Sequence, residues 1–173
     1  MTDLVVFELA LQNKNAIHRF YLEKSNQLIN ILSKEIFKKI AEDESFLLQR
    51  IQEGYEQIKK GEMFSNGSRE GLRKSSRECF DSIFSELIKD QMPVSPFKIV
   101  EIEIIDQAMV LETNIHRFFV TMEKEIEDKK IKEFLSFLAG EEYRHFNLLF
   151  NTKDYLSNLQ ELNPKYSQDL DKG

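Results

Sequence analysis

The segment Ile17-His18-Arg19-Phe20-Tyr21 returns as Ile115-His116-Arg117-Phe118-Phe119, 98 positions further along the chain. The same offset relates other residues of the two regions, including the pairs Ala10 and Ala108, Ala41 and Ala139, and Glu44 and Glu142. Because these distant matches stay in one register without an insertion, they indicate an internal repeat. The sequence therefore predicts two related halves, residues 3–60 and 101–158, joined by a crossover over residues 61–100.

Each half contains two stretches in which apolar residues recur every three or four positions, the spacing of an amphipathic helix. The four stretches cover residues 4–21, 36–55, 105–119 and 134–149. Short breaks at residues 25–30 and 128–130 separate the two stretches of each half. Connections this short predict that each pair folds back as an antiparallel helical hairpin.

The crossover shows signals of a loop followed by a short helix. Three of the six glycines fall in residues 61–75, which predicts a loop there. Ser76 is placed to cap a helix with one apolar face, and Pro93 and Pro96 are placed to end it. Two hairpins joined by such a crossover predict an all-α, antiparallel four-helix bundle with an extra short helix.

The bundle is predicted to form a single domain over residues 1–158. The remainder, residues 159–173, is a polar C-terminal tail that includes Pro164. We expect regular structure to fade after about Tyr155, because polar chain ends are poorly ordered unless they are packed.

The composition excludes several classes of protein. With 24 basic and 30 acidic residues the net charge is −6, which disfavours nucleic acid as a partner. No apolar run is long enough to span a membrane, and the first eight residues do not resemble a secretory signal. Cys79 is the only cysteine, so neither an internal disulfide nor a Cys-x-x-Cys site can form. These features predict a cytoplasmic protein.

Polar residues at the centre of the apolar stripes are the candidates for a functional site. Glu142 and His145 stand three apart, so both side chains leave one face of the fourth helix and can bind one divalent ion. The pattern E-x-x-H alone is common by chance, but the repeat places Glu44 at the position equivalent to Glu142. On the first and third helices, Lys14 and Glu112 occupy the equivalent central positions.

These segments resemble the ferritin-like superfamily, in particular rubrerythrin-like proteins that consist of the bundle alone. Helices one and three of that family read apolar-Ala-apolar-x-apolar-Glu, with an aromatic pair six and seven residues later. Ala10 and Leu11 with the pair Phe20-Tyr21 put Lys14 at the ligand position of helix one, and Ala108, Met109 and Leu111 with Phe118-Phe119 put Glu112 at that of helix three. Residues 41–47 match the pattern of helix two except for its histidine, and residues 139–145 match that of helix four in full. The resemblance covers residues 4–58 and 101–152.

The resemblance implies a di-iron site in which only four of the six ligand positions are kept. Glu44, Glu112, Glu142 and His145 occupy ligand positions, whereas Lys14 replaces a glutamate and Leu47 replaces a histidine. In the family's arrangement both losses fall on the same metal. One iron or manganese ion, held by the four remaining residues, is therefore the expected cofactor. Three glutamates, Lys14 and one divalent ion also give a neutral cluster, as burial favours.

The resemblance implies the activity of an oxidoreductase. A one-metal site puts the two-metal chemistry of the family in doubt, and the chain has no rubredoxin-like Cys-x-x-Cys to deliver electrons. The catalytic residues, the substrate and the redox partner therefore stay open. The alternative is a non-enzymatic scaffold or interaction protein that keeps the fold and has lost the metal. Family members commonly pair through bundle faces, and the apolar face of the short helix adds surface, so a homodimer is expected.

Four other residues, His18, Tyr21, Cys79 and His116, are of types that can serve in a site. We expect His18 and His116 to be helix-contact or semi-exposed residues, since they turn away from the ligand face. Tyr21 is expected either to donate a hydrogen bond to a site carboxylate or to act as a core aromatic residue. Cys79, on an apolar face, is expected to be a packing residue.

Overall fold

The computed structural model describes residues 2–65, 75–90 and 97–162. Within these ranges the chain forms five helices: α1 (Asp3–Ser25), α2 (Ile31–Lys59), α3 (Ser76–Lys89), α4 (Ile99–Glu125) and α5 (Lys129–Leu162). Helix α1 pairs with α2 and α4 with α5, each pair antiparallel, while α3 lies against α5 and α2. The predicted all-α, four-helix-bundle-like fold of two hairpins is thereby confirmed.

The repeat is visible in which side chains are buried. Every one of the following buried residues has a buried counterpart 98 positions later: Val6, Phe7, Ala10, Lys14, Ile17 and Tyr21 on α1, and Ser33, Ile36, Phe37, Ile40, Ala41, Asp43, Glu44, Leu47, Ile51 and Gly54 on α2. Helices α2 and α5 also begin at equivalent positions, Ile31 and Lys129. The two hairpins therefore present the same faces to the shared core.

The second helix of each hairpin starts at an equivalent capping residue. The Asn30 side chain accepts a hydrogen bond from the backbone N–H of Ser33 at 3.1 Å. Its counterpart Asp128 accepts one from the N–H of Ile131 at 3.0 Å. Such caps satisfy N–H groups that lack a partner in the first helical turn. In α3 the cap is Ser75, one residue before the predicted Ser76, and it forms a capping box with Glu78.

Helix α2 ends at a glycine in the left-handed conformation. Gly61 has a φ of 71°, which a residue with a Cβ adopts at a cost. Its N–H donates to the carbonyl of Ile58, and the N–H of Glu62 donates to the carbonyl of Gln57, both at 2.9 Å. This pair of bonds is a Schellman motif, which fixes the point where the chain leaves the bundle.

A buried carboxylate ties the two hairpins together at one end of the bundle. Glu101, near the start of α4, accepts hydrogen bonds from the backbone N–H groups of Ile29 and Asn30 at 2.8 and 2.9 Å. Its second oxygen accepts from the N–H of Lys98 at 2.7 Å. Because the first two donors lie in the α1–α2 turn, Glu101 holds that turn against the second hairpin.

Helix α5 continues to Leu162, so the prediction that regular structure fades after about Tyr155 was wrong. The cause is α3: the rings of Phe80 and Phe84 pack against Tyr155, with ring centroids 6.2 and 5.1 Å apart. Leu156 is fully buried, which gives this last part of the helix a core of its own. Residues 66–74, 91–96 and 163–173, with the predicted loop centre and helix-ending prolines, lie outside the described residues.

Among the described residues, no helix contains an apolar stretch that is long enough to cross a lipid bilayer.

Candidate metal site

The four predicted ligand residues meet at the centre of the bundle. Glu44 comes from α2, Glu112 from α4, and Glu142 and His145 from α5, and each is fully buried. One ligand atom from each lies within 4.8 Å of the others. Two ligand atoms on opposite sides of an ion bound at 2.0–2.2 Å lie roughly 4 Å apart. The four ligand atoms are therefore close enough together that the cluster could hold one ion.

The Lys14 ammonium lies on one side of this cluster, as the sequence predicts. Its Nζ donates to Glu44 Oε1 at 2.5 Å and to the two oxygens of Glu142 at 2.8 and 3.0 Å. Burial lowers the pKa of Lys14, but the carboxylates of Glu142 and Glu44 outweigh burial and raise it overall. Lys14 is therefore a permanent positive charge between two glutamates. Leu47, at the position equivalent to His145 in the repeat, is also fully buried.

Some buried polar atoms of the cluster lack hydrogen-bond partners. Within the described residues these atoms are Glu44 Oε2, Glu112 Oε2 and His145 Nδ1. Glu44 Oε2 still lies within ion-pair distance of Lys14, although it is not aligned for a hydrogen bond. His145 Nδ1 is 3.2 Å from Glu44 Oε1, likewise without hydrogen-bond alignment, and 3.8 Å from Glu112 Oε2.

Unpartnered buried polar atoms are rare because each carries the full cost of its desolvation. Glu112 Oε2 and His145 Nδ1 are the clearest cases, a carboxylate oxygen and an imidazole nitrogen 3.8 Å apart. This donor set, with two further carboxylates, is one that iron, manganese or zinc accepts. The residues present therefore fit a divalent transition metal, and the cluster could hold one.

Without an ion, the cluster favours retained protons. Burial disfavours the imidazolium, but Asp43, Glu44 and Glu112 outweigh burial and raise the pKa of His145 to about 10. Burial raises the pKa of Glu112 well above its usual value, and Glu142 adds to that effect against the opposing charge of His145. Burial also raises the pKa of Glu142. Protons thus supply positive charge where a metal ion would otherwise supply it.

Tyr21 donates a hydrogen bond to a site carboxylate, which is one of the two roles that the sequence allows for it. Its fully buried hydroxyl donates to Glu112 Oε1, the oxygen beside the unpartnered Oε2. Its counterpart in the repeat, Phe119, has no hydroxyl. The two halves therefore differ at this position as they do at Lys14 and Leu47.

Sequence reasoning missed three charged residues that surround His145. Asp43 Oδ2 lies 3.5 Å from His145 Nε2 and accepts a hydrogen bond from Arg144 Nη2 at 2.5 Å. Arg144 Nε in turn donates to Glu141 Oε2 at 2.8 Å. The signal that could have found them is position: Asp43 and Glu141 each directly precede a site glutamate, and Arg144 directly precedes His145.

The remaining residues considered from the sequence lie outside the cluster. His18 and His116 are half-buried, and His116 Nδ1 lies 2.9 Å from the carbonyl oxygen of Ala139. Cys79 is buried in the core. Both histidines are thus semi-exposed and Cys79 is a core residue, as the sequence predicts.

The structure thus establishes an all-α bundle with a buried Glu/His cluster that could hold a metal ion. No protein-family model, no curated protein and no solved structure matches the chain.

Proposed function

We propose that this chain is a ferritin-like, rubrerythrin-like metal-binding protein that holds a single iron or manganese ion in one half of a former di-iron site. The ligands are Glu44, Glu112, Glu142 and His145. The observation that carries the proposal is the pair of buried, unpartnered atoms, Glu112 Oε2 and His145 Nδ1, which face one another beside Glu44.

The other half of the site supports a limit of one ion. Lys14 Nζ lies between Glu44 and Glu142, where its charge replaces that of a second metal. Leu47 offers no ligand atom and fills core space instead. With three glutamates and Lys14, one divalent ion makes the cluster neutral, whereas a second would leave uncompensated charge in a dry core.

An iron or manganese ion in this site would supply one-electron redox chemistry, and we propose an oxidoreductase role on that basis. The chain's own residues define the surroundings of such an ion. Tyr21 holds Glu112 through its hydroxyl, and Asp43 lies behind His145, so the ligands are oriented by buried neighbours. All four ligand side chains are closed to solvent, which limits reactants to electrons, protons and molecules small enough to enter when the bundle opens.

We predict no more than one tightly bound transition metal per chain. The measurement is elemental analysis of the full chain, purified without chelator and also reloaded with Mn²⁺ or Fe²⁺ after metal removal. His145→Ala and Glu112→Ala should each lose the ion, because loss of a ligand exceeds the roughly 10–100-fold cost of losing an outer-shell partner. His116→Ala is the matched control, since His116 is half-buried outside the cluster. Two ions per chain in the core would contradict the prediction.

A second candidate function is a non-enzymatic helical scaffold or interaction protein. The observation that favours it is the ion pairing of Lys14, which neutralises much of the cluster without a metal. The scaffold predicts that neither Mn²⁺ nor Fe²⁺ raises the melting temperature of the chain. A metal-binding protein predicts a rise that grows with metal concentration, because a ligand of the folded state stabilises that state.

We also propose a homodimer, which sedimentation can test. Part of the apolar face of α3 is used within the chain, because Cys79, Phe80 and Leu87 are buried against its own bundle. The remaining exposed apolar side chains include Val110 and Tyr143, each 59% exposed, and Phe150 at 51%. We expect a species of twice 20.5 kDa at micromolar concentration. A clean 20.5 kDa species would contradict it.

A further inference from the structure

Arg144 occupies a distinct position beside the cluster. It stands on α5 between the two ligands of that helix, with its side chain 12% exposed. Nη2 donates to Asp43 Oδ2 on α2 at 2.5 Å, and Nε donates to Glu141 Oε2 one turn back on α5 at 2.8 Å. Nη2 also lies 3.2 Å from His145 Nε2. One guanidinium therefore joins two helices at the level of the ligands.

The repeat explains why Glu141 is available to Arg144. Asp43 and Glu141 are equivalent positions, and so are Leu47 and His145. Asp43 on α2 faces the ring of His145 on α5, so symmetry would have Glu141 face a side chain at position 47. Leu47 has no polar atom to offer. Glu141 binds Arg144 instead. The carboxylate that would support a histidine at position 47 therefore contacts the residue next to His145.

We propose that Arg144, anchored by Glu141, is a positioning residue that fixes Asp43 behind His145 and so keeps His145 Nδ1 aimed at the ion. This inference rests on the proposed metal-binding function and deepens it. Neither Arg144 nor Glu141 touches the ion in this role. Both act through Asp43 and the imidazole ring.

The geometry shows why Asp43 needs such a support. Its Oδ2 is 3.5 Å from His145 Nε2, a long contact that does not by itself fix the ring. Its Oδ1 accepts from Lys39, a flexible and half-exposed side chain of the same helix. From the helix that carries His145, Arg144 donates a short hydrogen bond to Asp43. A planar guanidinium can hold two acceptors in fixed directions, which a lysine ammonium cannot do.

The test is the affinity of the full chain for Mn²⁺, measured by calorimetry after metal removal. We expect Arg144→Gln and Asp43→Asn to weaken binding about 10–100-fold, as loss of an outer-shell partner does. Arg144→Lys should recover only part of the loss. Glu141→Gln should weaken binding less, and should add nothing in the Arg144→Gln background. Arg77→Gln, which removes an exposed pair with Asp81 on α3, is the matched control and should leave affinity unchanged.

A second measurement needs no metal and detects the ring directly. In the metal-free protein, Arg144→Gln and Glu141→Gln should shift the ¹⁵N resonances of the His145 ring, whereas Arg77→Gln should not.

A folded Arg144→Gln variant with unchanged Mn²⁺ affinity and unchanged ring resonances would overturn the proposal, even if it melts at a lower temperature. Wild-type protein that binds no Mn²⁺ or Fe²⁺ would instead overturn the proposed function, and this inference with it. If Arg144→Gln does not fold, the same two measurements on Glu141→Gln test the proposal, because Glu141 lies at the edge of the cluster. Unchanged Mn²⁺ affinity and unchanged ring resonances in that variant would then overturn it.

Discussion

Replacing Lys14 by Met is expected to lower the melting temperature of the metal-free protein by roughly 6–20 °C. The change keeps the side-chain length and removes the charge that lies between Glu44 and Glu142. Loss of one partner from a buried ion pair typically costs about 3–5 kcal/mol, because the other charge remains without compensation. For a chain of this size each kcal/mol corresponds to roughly 2–4 °C. The measurement is thermal unfolding in the presence of a chelator.

The matched control for this variant is Lys153→Met. Lys153 also pairs with a carboxylate of another helix, Asp106 on α4, but both side chains are more than one third exposed. Exposed pairs contribute about 0–1 kcal/mol, so the control should melt within a few degrees of wild type. A Lys14→Met variant that melts like its control would show that the ammonium does not hold the cluster together, whatever the metal content of the protein.

The double change Lys14→Glu with Leu47→His is expected to raise the metal content toward two ions per chain when Fe²⁺ is supplied. It restores the two ligand types that the resemblance assigns to the emptied half. It also removes the ammonium, so four carboxylates balance two divalent ions. Glu141 lies at the position that symmetry assigns to the partner of a histidine at 47. Elemental analysis of the reloaded, desalted protein gives the stoichiometry.

The two single variants are the controls for the double variant. Lys14→Glu alone buries a fourth carboxylate among three others with no ammonium, so the metal-free protein should be strongly destabilised. Leu47→His alone leaves the ammonium in place and should stay at one ion or fewer. If the double variant also stays at one ion, the emptied half differs from a metal site by more than these two residues.

The register of the helices could be predicted from the sequence because the same pattern of buried residues occurs in both halves. A lysine is rarely a core residue, and nothing about Lys14 alone predicts that it is buried. Its equivalence to Glu112 predicts a position at the centre of the bundle, and the structure has it there. The pairing of Glu44 with Glu142 followed from the same offset. Two copies of one pattern constrain each other, whereas a single amphipathic stripe leaves a shift of one turn open.

The network of Arg144 could not be predicted in the same way. Asp43 and Arg144 are 101 positions apart, and each is a charged residue of a kind that usually faces water on a helix. Periodicity identifies buried apolar faces, but it does not identify which charged side chains pair at their edges. The end of α5 was missed for a related reason, because Tyr155 is packed only when the rings of α3 lie against it.

The differences between the two halves have a consequence for the history of the fold. A bundle assembled from two separate, identical hairpins would carry every substitution twice, so an ammonium at position 14 would appear in both copies and no glutamate would remain opposite it. A single chain that contains both hairpins escapes this coupling, since each duplicate can diverge independently. Lys14 against Glu112, Tyr21 against Phe119 and Leu47 against His145 are three such divergences, all at fully buried positions. Because both hairpins belong to one chain, the bundle can carry a charge-asymmetric centre although most buried positions of its two halves are equivalent.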